Sequence, residues 1–296
     1  MGRPIATIAT ASALIGALLG LLAACAHVAP ATATLSSAQI AAVVASPDRS
    51  AADRDNDLRR RPVQMLGFIG IHPGIVALDV SAGGGYTTEL LARAIGPTGQ
   101  VFGQSPPREP PRAGATPAVP EGNSAPTAAA AAGATPAPRP AAPRAAGAAV
   151  VERDAKLRAA GVAAAPMVSV VQRFEDPVPG ALASGQLDLV TLMFNYHDLG
   201  HLGVDRAAMN RAIFQALKPG GLFVVADHAG RPGTGISESG SLHRIEEAFL
   251  SSEVEAAGFR LADEGLFLRN PNDPRDQNTP NPPQPKDEFV LKFVKP

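Results

Sequence analysis

Leu78-Asp79-Val80-Ser81-Ala82-Gly83-Gly84-Gly85-Tyr86 decides the fold of this chain. With Ile75-Val76-Ala77 before it, the stretch opens as a nearly continuous apolar run, the pattern of a parallel strand buried on both faces. Three glycines then make a turn in which backbone N–H groups can approach a ligand where a Cβ would collide. Residues 87–95 follow with helical spacing at Leu90, Leu91 and Ala94. Gly96-Pro97-Thr98-Gly99 stops that helix, and Val101-Phe102-Gly103 is a second strand. This is one βαβ unit. In sheets built from such units a ligand sits past the carboxyl ends of the strands, where the first strand feeds its turn.

The same alternation continues outward. Residues 151–160 read as a helix closed by Gly161, 168–171 and 187–194 as strands, and 206–217 as a helix. Lys218-Pro219-Gly220-Gly221 turns into a strand at 222–226, and 242–257 is an amphipathic helix ended by Gly258. Two final strands, 259–268 and 288–294, have no helix between them and should pair antiparallel. The expected architecture is α/β, a doubly wound and mostly parallel sheet. Upstream, Ser36 or Ser37 caps a short helix through Ala45, and 51–58 and 62–68 are two more, the second opened by Pro62. Arg59-Arg60-Arg61 between them reads as a solvated basic patch. Residues 105–149 are mostly Ala, Pro, Gly, Thr and Ser without periodicity. They cannot bury enough apolar side chain to offset ordering entropy, so a disordered insertion is expected between 46–104 and 150–296.

The amino-terminal residues read as an address. Arg3 is the only side-chain charge before Asp48, and the apolar run 5–24 follows it, as in an export signal. Leu22-Ala23-Ala24-Cys25 resembles the lipobox of bacterial lipoproteins. That resemblance implies a diacylglyceryl group on the Cys25 sulfur, cleavage of residues 1–24 and acylation of the new amino end, and residues 25–45 read as a tether and a short helix. Two or three acyl chains hold a membrane stably where one is marginal. The alternatives are an uncleaved membrane helix of about 20 apolar residues and a plain secretory signal. Ala26 carries no Asp retention signal, which favours the outer membrane. Cys25 is the single cysteine, so an intramolecular disulfide or a multi-thiolate metal site is excluded. A formal charge of −1 offers no basic footprint for nucleic acid.

Two nucleotide-type ligands compete for the glycine turn, beside a turn that binds nothing. A nicotinamide fingerprint needs a third glycine at position 88, which is Thr88, and gives no reason for an acid two residues before the turn. Asp79 fits a cofactor bearing an ammonium group. The segment 78–85 resembles motif I of class I S-adenosylmethionine-dependent methyltransferases. Leu187-Asp188-Leu189-Val190 resembles their fourth-strand motif, Leu217-Lys218-Pro219-Gly220-Gly221-Leu222 the turn before the fifth strand, and Val254-Glu255-Ala256-Ala257-Gly258-Phe259 a late helix-to-strand junction. More narrowly, the chain resembles a group of predicted exported bacterial methyltransferases. Gly83-Gly84-Gly85-Tyr86-Thr87-Thr88-Glu89-Leu90, Asp227-His228, His243-Arg244-Ile245 and Phe289-Val290-Leu291-Lys292-Phe293 carry that likeness.

The resemblance implies a seven-stranded Rossmann-like sheet with an antiparallel last strand and S-adenosyl-L-methionine as cofactor. It also implies methyl transfer to a small or envelope-associated acceptor. Cofactor contacts are expected at Asp79, Ser81, Ala82, Gly83, Gly85, Gln104, Glu175 and Asn195. Ser81 stands where many members have the first glycine. Gln104 stands where an acid usually takes both ribose hydroxyls, and Glu175 is the nearest acid to the adenine position. Methyl transfer from a sulfonium is an in-line displacement, so orientation supplies most of the acceleration. A hydroxyl or amine acceptor also needs a base. Asn195-Tyr196-His197-Asp198 follows the fourth strand, which makes His197 the first candidate and Asp227-His228 the second; hydrogen-bonded structural roles are the alternative for each. His243 and Arg244 begin a helix and bind an acidic acceptor or serve the surface. His201 has no special context, and no His/Asp/Glu spacing points to a metal. The competing function is an exported binding module that has lost catalysis. The cofactor is made in the cytoplasm, and Gln104 and the missing third-strand acid weaken its seat.

Overall fold

Alternate residues of the buried strands supply opposite faces of one seven-stranded sheet. The strands are β1 (Val76–Val80), β2 (Gln100–Ser105), β3 (Met167–Val171), β4 (Leu187–Met193), β5 (Leu217–His228), β6 (Arg260–Gly265) and β7 (Glu288–Val294), in the order β3-β2-β1-β4-β5-β7-β6. β1 pairs parallel with β2 and β4, β2 with β3, and β4 with β5. β7 runs antiparallel to both β5 and β6. The fold is therefore α/β and doubly wound, with a mostly parallel sheet and an antiparallel last strand. The chain order reverses between β1 and β4, the point past whose carboxyl ends open sheets of this kind bind their ligands.

The computed structural model describes residues 1–2, 33–108, 145–280 and 284–296. The chain divides into two compact units, Met1–Ala31 and Thr32–Pro296, and every element named here belongs to the second. The expected export signal, Cys25 and most of the expected insertion lie outside the described residues. Among the described residues no helix is long and apolar enough to cross a membrane.

The helices are α1 (Ser37–Val44), α2 (Ala51–Arg60), α3 (Pro62–Ile69), α4 (Tyr86–Ile95), α5 (Ala148–Ala159), α6 (Asp198–His201), α7 (Arg206–Ala216), α8 (Ser239–Leu242) and α9 (Glu247–Glu255). Ala77, Val101, Leu189 and Val224 form one core face with Ile40 of α1, Leu66 of α3, Leu91 of α4 and Leu157 of α5. Leu78, Val80, Val190 and Val225 point the other way, against Met209 and Ile213 of α7 and Leu250 and Val254 of α9. Each such Leu, Ile or Val contributes about 2 kcal/mol on burial. The period of two places Asp79 on the Ala77 side, facing α4.

Local chemistry sets the ends. Ser36 and Gln39 close a reciprocal capping box on α1. Ser50 caps α2 through Asp53 N, Pro62 opens α3 and Gly70, at φ 75°, closes it. Two expectations are corrected. The helix expected over 242–257 is broken: His243 takes φ 51°, and Ile245 bridges to Ala229 before α9 begins. Arg244 between them is fully buried and donates to Ala229 O (2.9 Å) and Gln277 O (3.0 Å), so it serves neither surface nor acceptor. β5 is also longer than the expected 222–226, which brings Asp227 and His228 into the sheet.

Candidate functional site

The glycine turn leaves β1 through three left-handed residues, Ser81 (φ 60°), Gly83 (φ 50°) and Gly85 (φ 76°). Such backbone is free for glycine but costs about 1–2 kcal/mol elsewhere. Ser81 is held there by two hydrogen bonds. Its N–H donates to Gln104 Oε1 (2.9 Å), and its Oγ donates to Asn195 Oδ1 (2.5 Å). Ala82 N donates to Gln104 O (2.7 Å). Gln104 is fully buried, and its Nε2 donates to Gln172 O (2.7 Å), so both ends of its amide hold main chain. In this arrangement Gln104 ties the turn to the end of β3 instead of offering itself to a ribose. Glu175 is held by Arg173 Nε (3.2 Å), and that hydrogen bond keeps its carboxyl below the usual range.

Asp79 lies behind the turn. Burial pushes its carboxyl up to about 6, against the hydroxyls of Thr88 (2.6 Å) and Thr191 (2.9 Å) and the charge of Arg60. In front, Gly83 and Gly84 are exposed, and a Cβ added at Gly84 would meet nothing within 4 Å.

Charged side chains lock the amino-terminal helices around this turn. Arg153 of α5 crosses it, with Nε donating to Gly84 O (2.6 Å) and the guanidinium pairing with Asp53 (2.8 Å) and Glu89 (2.5 Å). A Cβ at Gly85 would approach Arg153 Cδ to 2.8 Å, so glycine is required there by close approach as well as by φ. Tyr86 OH donates to Asp57 Oδ1 (2.6 Å), which Arg49 also binds. The basic triplet is not a solvated patch. Arg59 donates to Glu288 (2.8 Å), and Arg60 is buried with its guanidinium 5.3 Å from the Tyr86 ring centre and 4.7 Å from that of Phe194. Burial pulls the Arg60 pKa down to about 10. Arg61 faces solvent at the left-handed joint between α2 and α3. A small apolar cavity of about 30 Å³ lies beside Arg60, Tyr86 and Phe194.

Past β4 the chain turns at Phe194 (φ 59°) and delivers Asn195, His197 and Asp198, all fully or almost fully buried. His197 N donates to Asp227 Oδ2 (2.7 Å), and its Nδ1–H donates to Asp227 Oδ1 (2.6 Å). Its Nε2 lies 3.0 Å from Asp198 Oδ1, off the line of a hydrogen bond. His243 Nδ1 donates to the same Asp198 Oδ1 (2.9 Å), and Asn195 Nδ2 donates to Asp198 Oδ2 (2.7 Å). Burial alone would lower the His197 pKa, but the Asp227 and Asp198 carboxylates outweigh it and raise it to about 10. The ring therefore keeps its proton at neutral pH, which does not suit the base role expected of it. Asp227 is fully buried and its Oδ1 also accepts from His228 N (2.8 Å), so it positions its neighbours. His228 lies 5.2 Å from the His197 ring and 3.0 Å from Glu288 Oε1. Burial, together with the charges of Lys286 and His197, holds its pKa well below the usual value.

The fold thus brings His197, Asp227 and His228 together and links them to the turn through Ser81–Asn195–Asp198. Sequence reading missed Asp198 and His243 as partners, because they lie 45 positions apart and only the break before α9 turns His243 inward. It also gave His201 no context, yet that ring stands 5.6 Å from His243.

No family model and no curated protein sequence matches the chain. Solved structures of similar chain path include a SAM-dependent methyltransferase from Aquifex aeolicus, at 14% identity over 84% of this chain and 100% of that one, TM-score 0.48. An arsenic(III) S-adenosylmethionine methyltransferase from Chlamydomonas reinhardtii aligns at 17% identity over 75% and 64%, TM-score 0.45. Aeropyrum pernix fibrillarin, with natively bound S-adenosyl-L-methionine, aligns at 14% identity over 76% and 68%, TM-score 0.41. At such identities the likeness concerns the path of the chain, and chemistry has to be argued from residues.

Proposed function

We propose that this chain binds S-adenosyl-L-methionine at the glycine turn and transfers its methyl group to a small or envelope-associated acceptor. One observation carries the reading: Gly83 and Gly85 in left-handed backbone at the carboxyl end of β1, exposed at Gly83 and Gly84, with Asp79 directly behind. Main-chain amides of Gly83 and Gly84 would take the amino-acid end of the cofactor, those of Ala82 and Gly85 already being given to Gln104 O and Ala82 O. A ligand ammonium beside Asp79 would favour the ionised carboxylate that burial opposes. When bound, the cofactor supplies a methyl group already activated as a sulfonium, and the chain's task is alignment. Because His197 holds its proton, acceptors whose nucleophile is unprotonated at neutral pH suit this site best.

A second reading, an exported binding module without turnover, is favoured by Gln104, whose amide is spent on main chain where a ribose would need a partner. Calorimetry of the folded chain with S-adenosylmethionine and S-adenosylhomocysteine separates the two. Binding of either supports the first reading, and no heat with both supports the second. Gly84→Asp is the matched variant, since it adds a carboxylate on open surface without the clash that Gly85→Asp would meet. It should keep the wild-type thermal midpoint and lose the ligand; undiminished affinity would remove the turn from the argument. On this reading the chain is also exported and lipid-anchored at Cys25 on the periplasmic side, with the outer membrane favoured and no nucleic-acid partner. The support is the Leu22-Ala23-Ala24-Cys25 pattern and the near-neutral charge.

A further inference from the structure

We infer that His197, Asp198 and His243 form a binding site for a divalent transition-metal ion of the Zn²⁺ type. His197 Nε2 and His243 Nδ1 lie 3.0 Å and 2.9 Å from Asp198 Oδ1. One ligand atom from each residue falls within 4.8 Å of the other two. A tetrahedral ion with bonds of about 2.0–2.1 Å has ligand–ligand edges of about 3.3 Å, so small side-chain adjustments seat it. Two imidazole nitrogens and one carboxylate oxygen are the donors that first-row divalent ions prefer over calcium or magnesium.

A second observation points to the same place. His197 Nε2 is buried without a hydrogen-bond partner and faces this cluster. An orphaned polar atom in the interior costs about 1–3 kcal/mol, and a metal that displaces the protons from His197 Nε2 and His243 Nδ1 would satisfy it. The surroundings are those of a ligand set. His197 Nδ1–H donates to Asp227 Oδ1 (2.6 Å), which fixes the ring so that Nε2 is the ligating atom, and Asn195 Nδ2 holds the other oxygen of Asp198 (2.7 Å). The His243 side chain is 24% exposed, so the site has an entry, and three protein ligands leave a fourth position open. His201 Nδ1 lies 3.9 Å from Asp198 Oδ1 and is engaged by Ser239 Oγ (3.0 Å), so it falls outside the triad.

The inference stands whether or not the chain transfers methyl groups. If it does, an ion in this position would lower the pKa of an acceptor hydroxyl or thiol, a task His197 does not perform as a base. Asp198 would also connect ion and glycine turn through Asn195 and Ser81.

The test uses the untagged full chain, stripped with a chelator, dialysed, and titrated with zinc chloride by calorimetry in the absence of any nucleoside. Cobalt(II) serves as a spectroscopic probe. The expected result is one Zn²⁺ per chain and tetrahedral cobalt absorption bands that zinc abolishes. His243→Ala, at the partly exposed ligand, should weaken zinc binding on the order of 100-fold while the metal-free thermal midpoint stays at the wild-type value. His201→Ala should retain wild-type affinity. A folded wild-type chain that takes up no zinc overturns the inference, and so does undiminished binding by His243→Ala or an equal loss in His201→Ala.

Discussion

Asp79 carries an electrostatic cost that its neighbours only partly offset. Thr88 and Thr191 donate to it, yet burial still raises its carboxyl from 3.8 to about 6. A carboxyl raised in the folded state binds an extra proton there between these two values. Stability is therefore fully present below the lower value and falls as pH rises to the upper one, by about 3 kcal/mol in all. Asp79→Asn removes that term. The stability of the variant minus that of wild type, from urea unfolding, should grow between pH 4 and pH 6 and level off above. A difference that stays flat across this range would show that Asp79 is ionised without penalty. The acid and its glycines are readable locally, because strand, acid and turn are consecutive. Thr191, 112 positions away, could not be paired with Asp79 before the β1–β4 register was known.

Elements around the site are held to one another by ion pairs as well as by apolar contact. α5 reaches back across the turn through Arg153, whose side chain is 22% exposed, to Asp53 of α2 and Glu89 of α4, whose side chains are 5% and 7% exposed. Removing the cation takes that partner from the enclosed Asp53 carboxylate and leaves Glu89 to Arg93 alone. Arg153→Ala should therefore cost about 3 kcal/mol in denaturant unfolding, and adding Asp53→Asn should recover part of it. A loss under about 0.5 kcal/mol would mean that water replaces the guanidinium freely. Most helices and strands were legible from periodicity and caps. The helix expected over 242–257 was not, because its spacing continues across a break imposed by tertiary bonds. Ile245 N donates to His228 O (3.1 Å) and Arg244 spans to Asp273 (2.9 Å), and together they outweigh helix propensity there.

At the scale of the whole molecule, Met1–Ala31 and Thr32–Pro296 are separate units, and the proposed anchor belongs to the first. Acyl chains on Cys25 would hold the protein to a membrane independently of the sheet. Cys25→Ser should shift it from the membrane pellet to the soluble fraction after cell lysis. Continued sedimentation with membranes would indicate an uncleaved apolar helix instead. The sequence by itself determined the strand order's raw material: apolar runs, glycine stops, caps, and the acid-glycine turn at the end of β1. These are legible because their causes, backbone sterics and a period of two or of 3.6, act between residues close in the chain. Tertiary structure alone decided that Arg60 and Arg244 turn inward, that Gln104 spends its amide on main chain, and that His197, Asp198 and His243 converge. Those outcomes depend on desolvation and on partners brought from distant segments, quantities that a linear pattern does not contain.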